Sequence, residues 1–199
     1  YRVAYLLEQG VSPERILLLT FTNKAAREMM SRVTALIGHD LTELWGGTFH
    51  SIGHRVLRRH AESINFRPGF TIQDREDAKG LINACIAEAG IDVKATRFPK
   101  PDVLADIFSL AANRQVEVTE ILEERYSWFD HLREEIGDIC RRYTARKQSN
   151  GMMDFDDLLV LWLKLMREQD DLRELYQRRF QFVLVDEYQD TNRLQAELI

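Results

Sequence analysis

Phe182-Val183-Leu184-Val185-Asp186-Glu187-Tyr188-Gln189-Asp190-Thr191-Asn192 is the stretch on which the fold turns. Four apolar residues, two of them β-branched, predict a buried strand. Two adjacent carboxylates follow at once. In a parallel α/β sheet the carboxyl ends of the strands form the ligand crevice. A strand that delivers Asp186 and Glu187 to that edge suits metal–nucleotide chemistry, with Asp186 holding Mg²⁺ and Glu187 orienting or deprotonating a water. An ordinary strand ending in a polar turn has the same short pattern, so the rest of the chain has to decide between the two.

A second continuous apolar run, Ile16-Leu17-Leu18-Leu19, predicts another buried strand. It ends in Thr20-Phe21-Thr22-Asn23, and a helical pattern starts immediately, with Ala25, Ala26, Met29, Met30, Val33, Leu36 and Ile37 on one side. Thr22 or Asn23 can cap that helix. Helix N-termini attract phosphate, and Lys24 and Arg27 add positive charge there. Phe21 is then either a stacking platform for a base or a buried core ring.

Gly46-Gly47-Thr48-Phe49-His50-Ser51 leads into a helix that buries Ile52, Val56 and Leu57. Its other side gathers His54, Arg55, Arg58, Arg59 and His60, either a solvated face or one that tracks a phosphate backbone. His50 and His54 have the i, i+4 spacing of zinc ligands, but residue 51 is Ser and no third ligand is evident.

From Asp74 to about Asn150 no strand pattern occurs. Asp74 caps a helix to Ala89, with Gly90 beyond it. Phe98-Pro99-Lys100-Pro101 is a rigid linker, Asp102 starts another helix, and a long pattern runs from Asp130 to Ser149. The segment reads as an all-helical insertion within an α/β domain. Met153-Asp154-Phe155-Asp156-Asp157-Leu158 then opens a helix capped by Asp154, with Asp157 in the first turn and Trp162 in the core. After the Asp-Glu strand, Thr191 or Asn192 caps a last helix.

Composition fits a globular chain of 199 residues, 45% hydrophobic and 30% charged, with no run near the roughly 18 apolar residues of a membrane span. Cys85 and Cys140 both fall in amphipathic helical patterns and are expected to be buried thiols, which fits a reducing, cytoplasmic setting. The net charge of −5 argues against a generally basic coat, yet residues 1–73 carry +3 and the remainder −8. A local basic face is therefore expected in the first third. The chain opens at Tyr1-Arg2-Val3 directly in a helical pattern, so it is expected to be a piece of a longer protein without a signal peptide.

Three segments occur together and in order: Thr20-Phe21-Thr22-Asn23-Lys24-Ala25-Ala26-Arg27-Glu28-Met29, then Gly47-Thr48-Phe49-His50-Ser51, then Val185 to Asn192. With Met153 to Leu158 before the last, the chain resembles the amino-terminal half of a UvrD/Rep/PcrA-type superfamily 1 DNA helicase. The resemblance implies an α/β fold: a RecA-like parallel sheet (subdomain 1A, incomplete) with an all-helical insertion (subdomain 1B). The implied division is 1–70 and 153–199 for subdomain 1A and 71–152 for the insertion. It implies ATP and Mg as cofactors, single-stranded DNA and a duplex junction as partners, and 3′→5′ movement, with DNA repair among the family's settings. Asp186 would coordinate Mg²⁺ and Glu187 would activate the attacking water. Gln189 and Asp190 would link the nucleotide site to the DNA-binding segments. Phe21, Thr22 and Asn23, followed by Thr48 and His50, would contact DNA.

The family's Gly-x-x-x-x-Gly-Lys-Thr phosphate loop is not in this sequence, where none of the ten glycines precedes a lysine. The second RecA-like domain is not in it either, so this piece alone is expected to be inactive, with an exposed sheet edge. A RecB/AddA-type helicase subunit and a non-catalytic DNA-binding or interaction module on the same fold are the competing readings. The Asp186-Glu187 pair speaks against the module, because a pure binder has no need of it.

Overall fold

A computed structural model describes residues 1–38 and 42–199. Its main sheet has three parallel strands, β1 (Ile16–Thr20), β2 (Trp45–Thr48) and, late in the chain, β5 (Phe182–Val185), in the order β2-β1-β5. Strand β1 is the middle one, and all five of its residues are buried. Its side chains alternate. Leu17 and Leu19 enter one core with Trp45, Phe49, Ile52, Leu158 and Trp162, while Ile16 and Leu18 enter another with Val3 and Val33. A parallel strand covered on both faces needs apolar residues at every position, which is why β1 reads as an unbroken run.

Strand β5 departs from expectation. It is half-buried rather than buried, and Val183 is 38% exposed. The cause is its position: it pairs with β1 on one side, and its other edge has no strand partner among the described residues.

Helices α1 (Arg2–Glu8) and α2 (Asn23–Ile37) pack on the Ile16/Leu18 face. Helix α3 (Phe49–His60) contributes to the opposite core. There it meets α8 (Phe155–Glu168), and Gly53 sits at their closest approach. A Cβ at Gly53 would stand 2.9 Å from the Leu158 carbonyl oxygen and 3.3 Å from the Trp162 ring.

Between these parts the chain makes an all-helical segment: α4 (Arg75–Glu88), α5 (Pro101–Arg114), α6 (Val118–Arg125) and α7 (Arg133–Ser149). It has its own core, including Ile82, Leu104, Ile107, Ile121, Leu122, Ile136 and Ile139, each fully buried. Helix α6 carries no strong apolar stripe of its own and is not evident from the sequence. Helix α7 starts at Arg133 rather than Asp130, because a 3₁₀ segment occupies Ser127–Leu132. Cys85 is buried as expected, but Cys140 is only half-buried; both are free thiols, and burial pushes that of Cys140 up to about 11.

Two short strands close the base of this segment. In β3 (Thr71–Ile72) and β4 (Met152–Met153) the outgoing and returning chains pair in parallel, Thr71 with Met152 and Ile72 with Met153. A buried polar cluster lies beside them. The Gln73 side-chain amide donates to the Tyr143 hydroxyl at 2.6 Å, and that hydroxyl donates to Asp154 at 2.9 Å. Lys147, 5% exposed, reaches Asp154 at 2.5 Å and Asp157 at 2.6 Å. Asp154 and Asp157 also form the capping box that starts α8.

Burial acts against each of these charges. The two aspartates nevertheless hold the Lys147 ammonium above its ordinary value, and Lys147 holds Asp154 below its own. Burial keeps the Asp157 carboxyl up at about 6.

Two outcomes follow from this packing. Lys147→Met leaves two buried carboxylates without their cation and is expected to cost about 3 kcal/mol of stability in urea unfolding at pH 7. The loss shrinks under acid: Asp154's contribution is present above the ordinary aspartate range and disappears as pH falls through its lowered value. Asp157 works the other way, since its folded form favours the proton and its contribution fades as pH rises toward about 6. Gly53→Ala wedges α3 from α8 and is expected to cost about 1–3 kcal/mol in the same assay.

Candidate nucleotide and nucleic-acid site

The parallel register fixes where the sequence-predicted residues lie. Leu19 pairs with Val185 and Thr20 with Thr48. The residues that leave these strands, Phe21, Phe49 and Asp186, therefore sit along one rim, at the carboxyl end of the sheet. The ladder continues one step beyond β5, because the Asp186 N–H donates to the Leu19 carbonyl at 2.9 Å.

At the β5 tip, Asp186 and Glu187 are both exposed, and neither forms an ion pair among the described residues. Glu187 has φ 52° and ψ 46°, the left-handed region that a non-glycine residue adopts only under constraint. This turn sends the chain into a short 3₁₀ segment, Tyr188–Asp190. The Gln189 amide donates to the Glu187 carboxylate, which ties the two side chains together. Asp190 is exposed. A cleft of about 710 Å³ borders Asp186, Val183, Val185 and Tyr188 on the side of α1 and α2.

A single exposed carboxylate at a strand end fits Mg²⁺ chemistry. That ion keeps several waters and is held by one or two carboxylates together with substrate phosphates, not by an all-protein cage. No group of three or more metal-ligating side chains is found among the described residues.

At the β1 tip, the Thr22 hydroxyl accepts from the Ala25 N–H at 3.1 Å and caps α2; Thr22 and Asn23 are exposed. Phe21 is half-buried, its ring tilted against Phe49 at 5.7 Å between centroids. At the β2 tip, Thr48 is buried and its hydroxyl accepts from the Ser51 N–H at 3.1 Å, capping α3. Its carbonyl also accepts from the Ser51 hydroxyl at 2.9 Å. His50 is half-buried beside the edge of the Phe155 ring, 6.0 Å away. Burial lowers the pKa of His50 against the pull of nearby Asp156, so it is neutral at pH 7. His54, its i+4 neighbour, accepts from the Arg58 Nε–H at 3.0 Å.

A side-chain network in this region gave no signal in the sequence. Asn192, the cap of α10 (Arg193–Glu197), donates to the Asn113 side chain on α5 at 2.9 Å. Asn113 donates in turn to Asp156 in the first turn of α8 at 2.6 Å, and Asp156 is the carboxylate that acts on His50. The end of the Asp-Glu segment is thus joined by side-chain hydrogen bonds to the helical segment and to the start of α8. Asp156 was visible as part of the Met153–Leu158 segment but without a role, and Asn113 has no pattern that marks it. Phe155, 56% exposed beside His50, was likewise visible in that segment without a role.

A family model described as "UvrD/REP helicase N-terminal domain" matches residues 1–199. The chain is 38% identical over 200 residues to the ATP-dependent DNA helicase PcrA of Bacillus subtilis (strain 168), covering 100% of this chain and 26% of that protein. It is 37% identical to the ATP-dependent DNA helicases PcrA of Staphylococcus epidermidis (strain RP62A) and Staphylococcus aureus (strain Mu50), covering 100% of this chain and 27% of each. The chain thus spans about a quarter of the length of these relatives. With a parallel sheet, an all-helical segment and a match along its whole length, the chain belongs to the UvrD/REP helicase family, in that family's N-terminal domain.

Proposed function

We propose that this chain is part of the motor of an ATP-dependent helicase that moves 3′→5′ on single-stranded DNA and separates duplex at a junction. The observation that carries the reading is the shared rim: the carboxylates after β5 and the aromatic and amide groups after β1 and β2 stand at one end of one sheet. Residues 1–70 and 153–199 form the RecA-like part and residues 71–152 the helical insertion, which meets duplex ahead of the junction. The setting is the cytoplasm, and among the described residues no helix is long and apolar enough to cross a membrane.

Each residue's part follows from its chemistry. Asp186 is a hard oxygen donor and would hold Mg²⁺, which supplies charge neutralisation to the phosphates when bound. Glu187 accepts the proton of the attacking water, and its constrained backbone with the Gln189 bond fixes the direction of its carboxylate. Gln189 therefore senses the water site, and Asp190, one residue on, passes its state toward the DNA side. Phe21 stacks on a base with the ring face that Phe49 leaves free. Thr22 and Asn23 present the first turn of α2 to a phosphate. Neutral His50 offers an N–H donor, and Thr48 holds the start of α3, and so His50, in place.

The test uses the full-length protein. Glu187→Gln is expected to lower DNA-stimulated ATP turnover by about 10²-fold or more while leaving single-stranded DNA affinity intact. Phe21→Ala is expected to weaken that affinity by about tenfold, the worth of one base stack, in fluorescence anisotropy. Unchanged affinity and unchanged stimulation in Phe21→Ala would remove the β1 tip from the DNA path. Residues 1–199 alone, without a phosphate loop, are expected to show no ATP turnover above background in a coupled assay.

A further inference from the structure

The opposite end of the sheet holds a second charged feature that the rim does not use. Trp45 pairs with Leu17 at the start of β2, three residues before Thr48, which places it about 10 Å from the rim along the strand. Its ring is 1% exposed and is covered by arginines. The guanidinium carbons of Arg55, Arg59 and Arg179 lie 3.8, 4.8 and 4.8 Å from the Trp45 ring centroid. Arg55 and Arg59 come from α3, and Arg179 ends α9 (Asp170–Arg179) just before β5. Beside them His60 shares a hydrogen bond of 3.0 Å with the Tyr176 hydroxyl.

None of these three arginines forms an ion pair with a carboxylate among the described residues, whereas Arg75, Arg114, Arg133 and Arg146 all do. The Arg179 Nε–H is buried and has no acceptor among the described residues. Arg55 and Arg59 are exposed and Arg179 is half-buried, so the three like charges gather over one ring at the surface, where burial and the charges of Arg59 and Arg179 push the Arg55 guanidinium below its ordinary value. The carboxyl end of α3 offers only about half a negative charge, too little to offset three cations. Stacking on one indole attracts each guanidinium to the ring but does nothing for their mutual repulsion.

We infer that the Arg55–Arg59–Arg179 cluster on Trp45 is a binding site for a phosphate oxyanion, distinct from the nucleotide and DNA rim. A tetrahedral phosphate accepts from several directions at once, which suits three guanidinium forks with Tyr176 and His60 beside them. A planar carboxylate is filled by one or two forks and leaves the third cation unmatched. The phosphate belongs either to a polynucleotide backbone or to a soluble polyphosphate.

The test is phenylglyoxal labelling of arginines in full-length protein saturated with Mg·ADP, read residue by residue by mass spectrometry. The probes are inorganic tripolyphosphate, a blunt DNA duplex without single-stranded tails, and poly-glutamate. Arg55, Arg59 and Arg179 are expected to label about tenfold more slowly with a phosphate probe, and exposed Arg97 at an unchanged rate. Protection by the duplex at lower phosphate concentration assigns the site to a nucleic-acid backbone, and protection by tripolyphosphate alone assigns it to a soluble ligand. Arg55→Lys/Arg59→Lys keeps the charge and removes the forks; with the thermal midpoint unchanged, it is expected to lose Arg179 protection. Equal labelling with and without both phosphate probes would overturn the assignment, as would equal protection by poly-glutamate or retained Arg179 protection in the lysine variant.

Discussion

The constraint on which the rest depends is the parallel register of three strands around β1. Parallel pairing makes all three strands end at the same edge, and pairing Leu19 with Val185 and Thr20 with Thr48 brings those ends level. A shift by one residue in β5 would do more than move Asp186 by about 3.3 Å; it would turn its side chain to the opposite face of the sheet. Two features oppose such a slip. Val185 packs against one core while Phe182 and Leu184 pack against the other, and the bond from the Asp186 N–H to the Leu19 carbonyl extends the ladder past the strand.

A second level of organisation joins the helical segment to this frame. Its apolar core is self-contained, so attachment falls to polar contacts: the β3–β4 ladder, the Lys147 cluster, and the bonds through Asn113. Such contacts have strict geometry, and each depends on its partners being present. A buried lysine shared by two carboxylates has one good position, because moving it leaves buried charge uncompensated. The seam therefore favours a definite angle between the parts over a loose tether.

The strands β1 and β5, the caps and the Asp-Glu turn were legible because local pattern dictates them, whereas the two-residue strands β3 and β4 leave no pattern to read. An unbroken apolar run followed by capping residues has few other solutions, and Thr22, Asp74, Asp154 and Asn192 cap as their positions imply. What escaped depends on partners distant in sequence. Lys147 looks like any solvated lysine until α7 brings it to Asp154 and Asp157, and Asn113 lies 79 residues from Asn192. The exposure of Val183 was likewise invisible, because a run of residues does not say which strand is central. The arginine face of α3 was visible as a charge pattern, but its stacking on Trp45 was not.

The half-exposed flank of β5 has a consequence for handling these residues. Its outer N–H and C=O groups stand in a row beside apolar Val183, with a cleft running alongside. Such a flank is a template: another extended segment that lays itself there gains main-chain hydrogen bonds and covers oily surface in one step. In the 199 residues by themselves, such a segment would come from a neighbouring molecule, which makes this flank the natural seed of self-association.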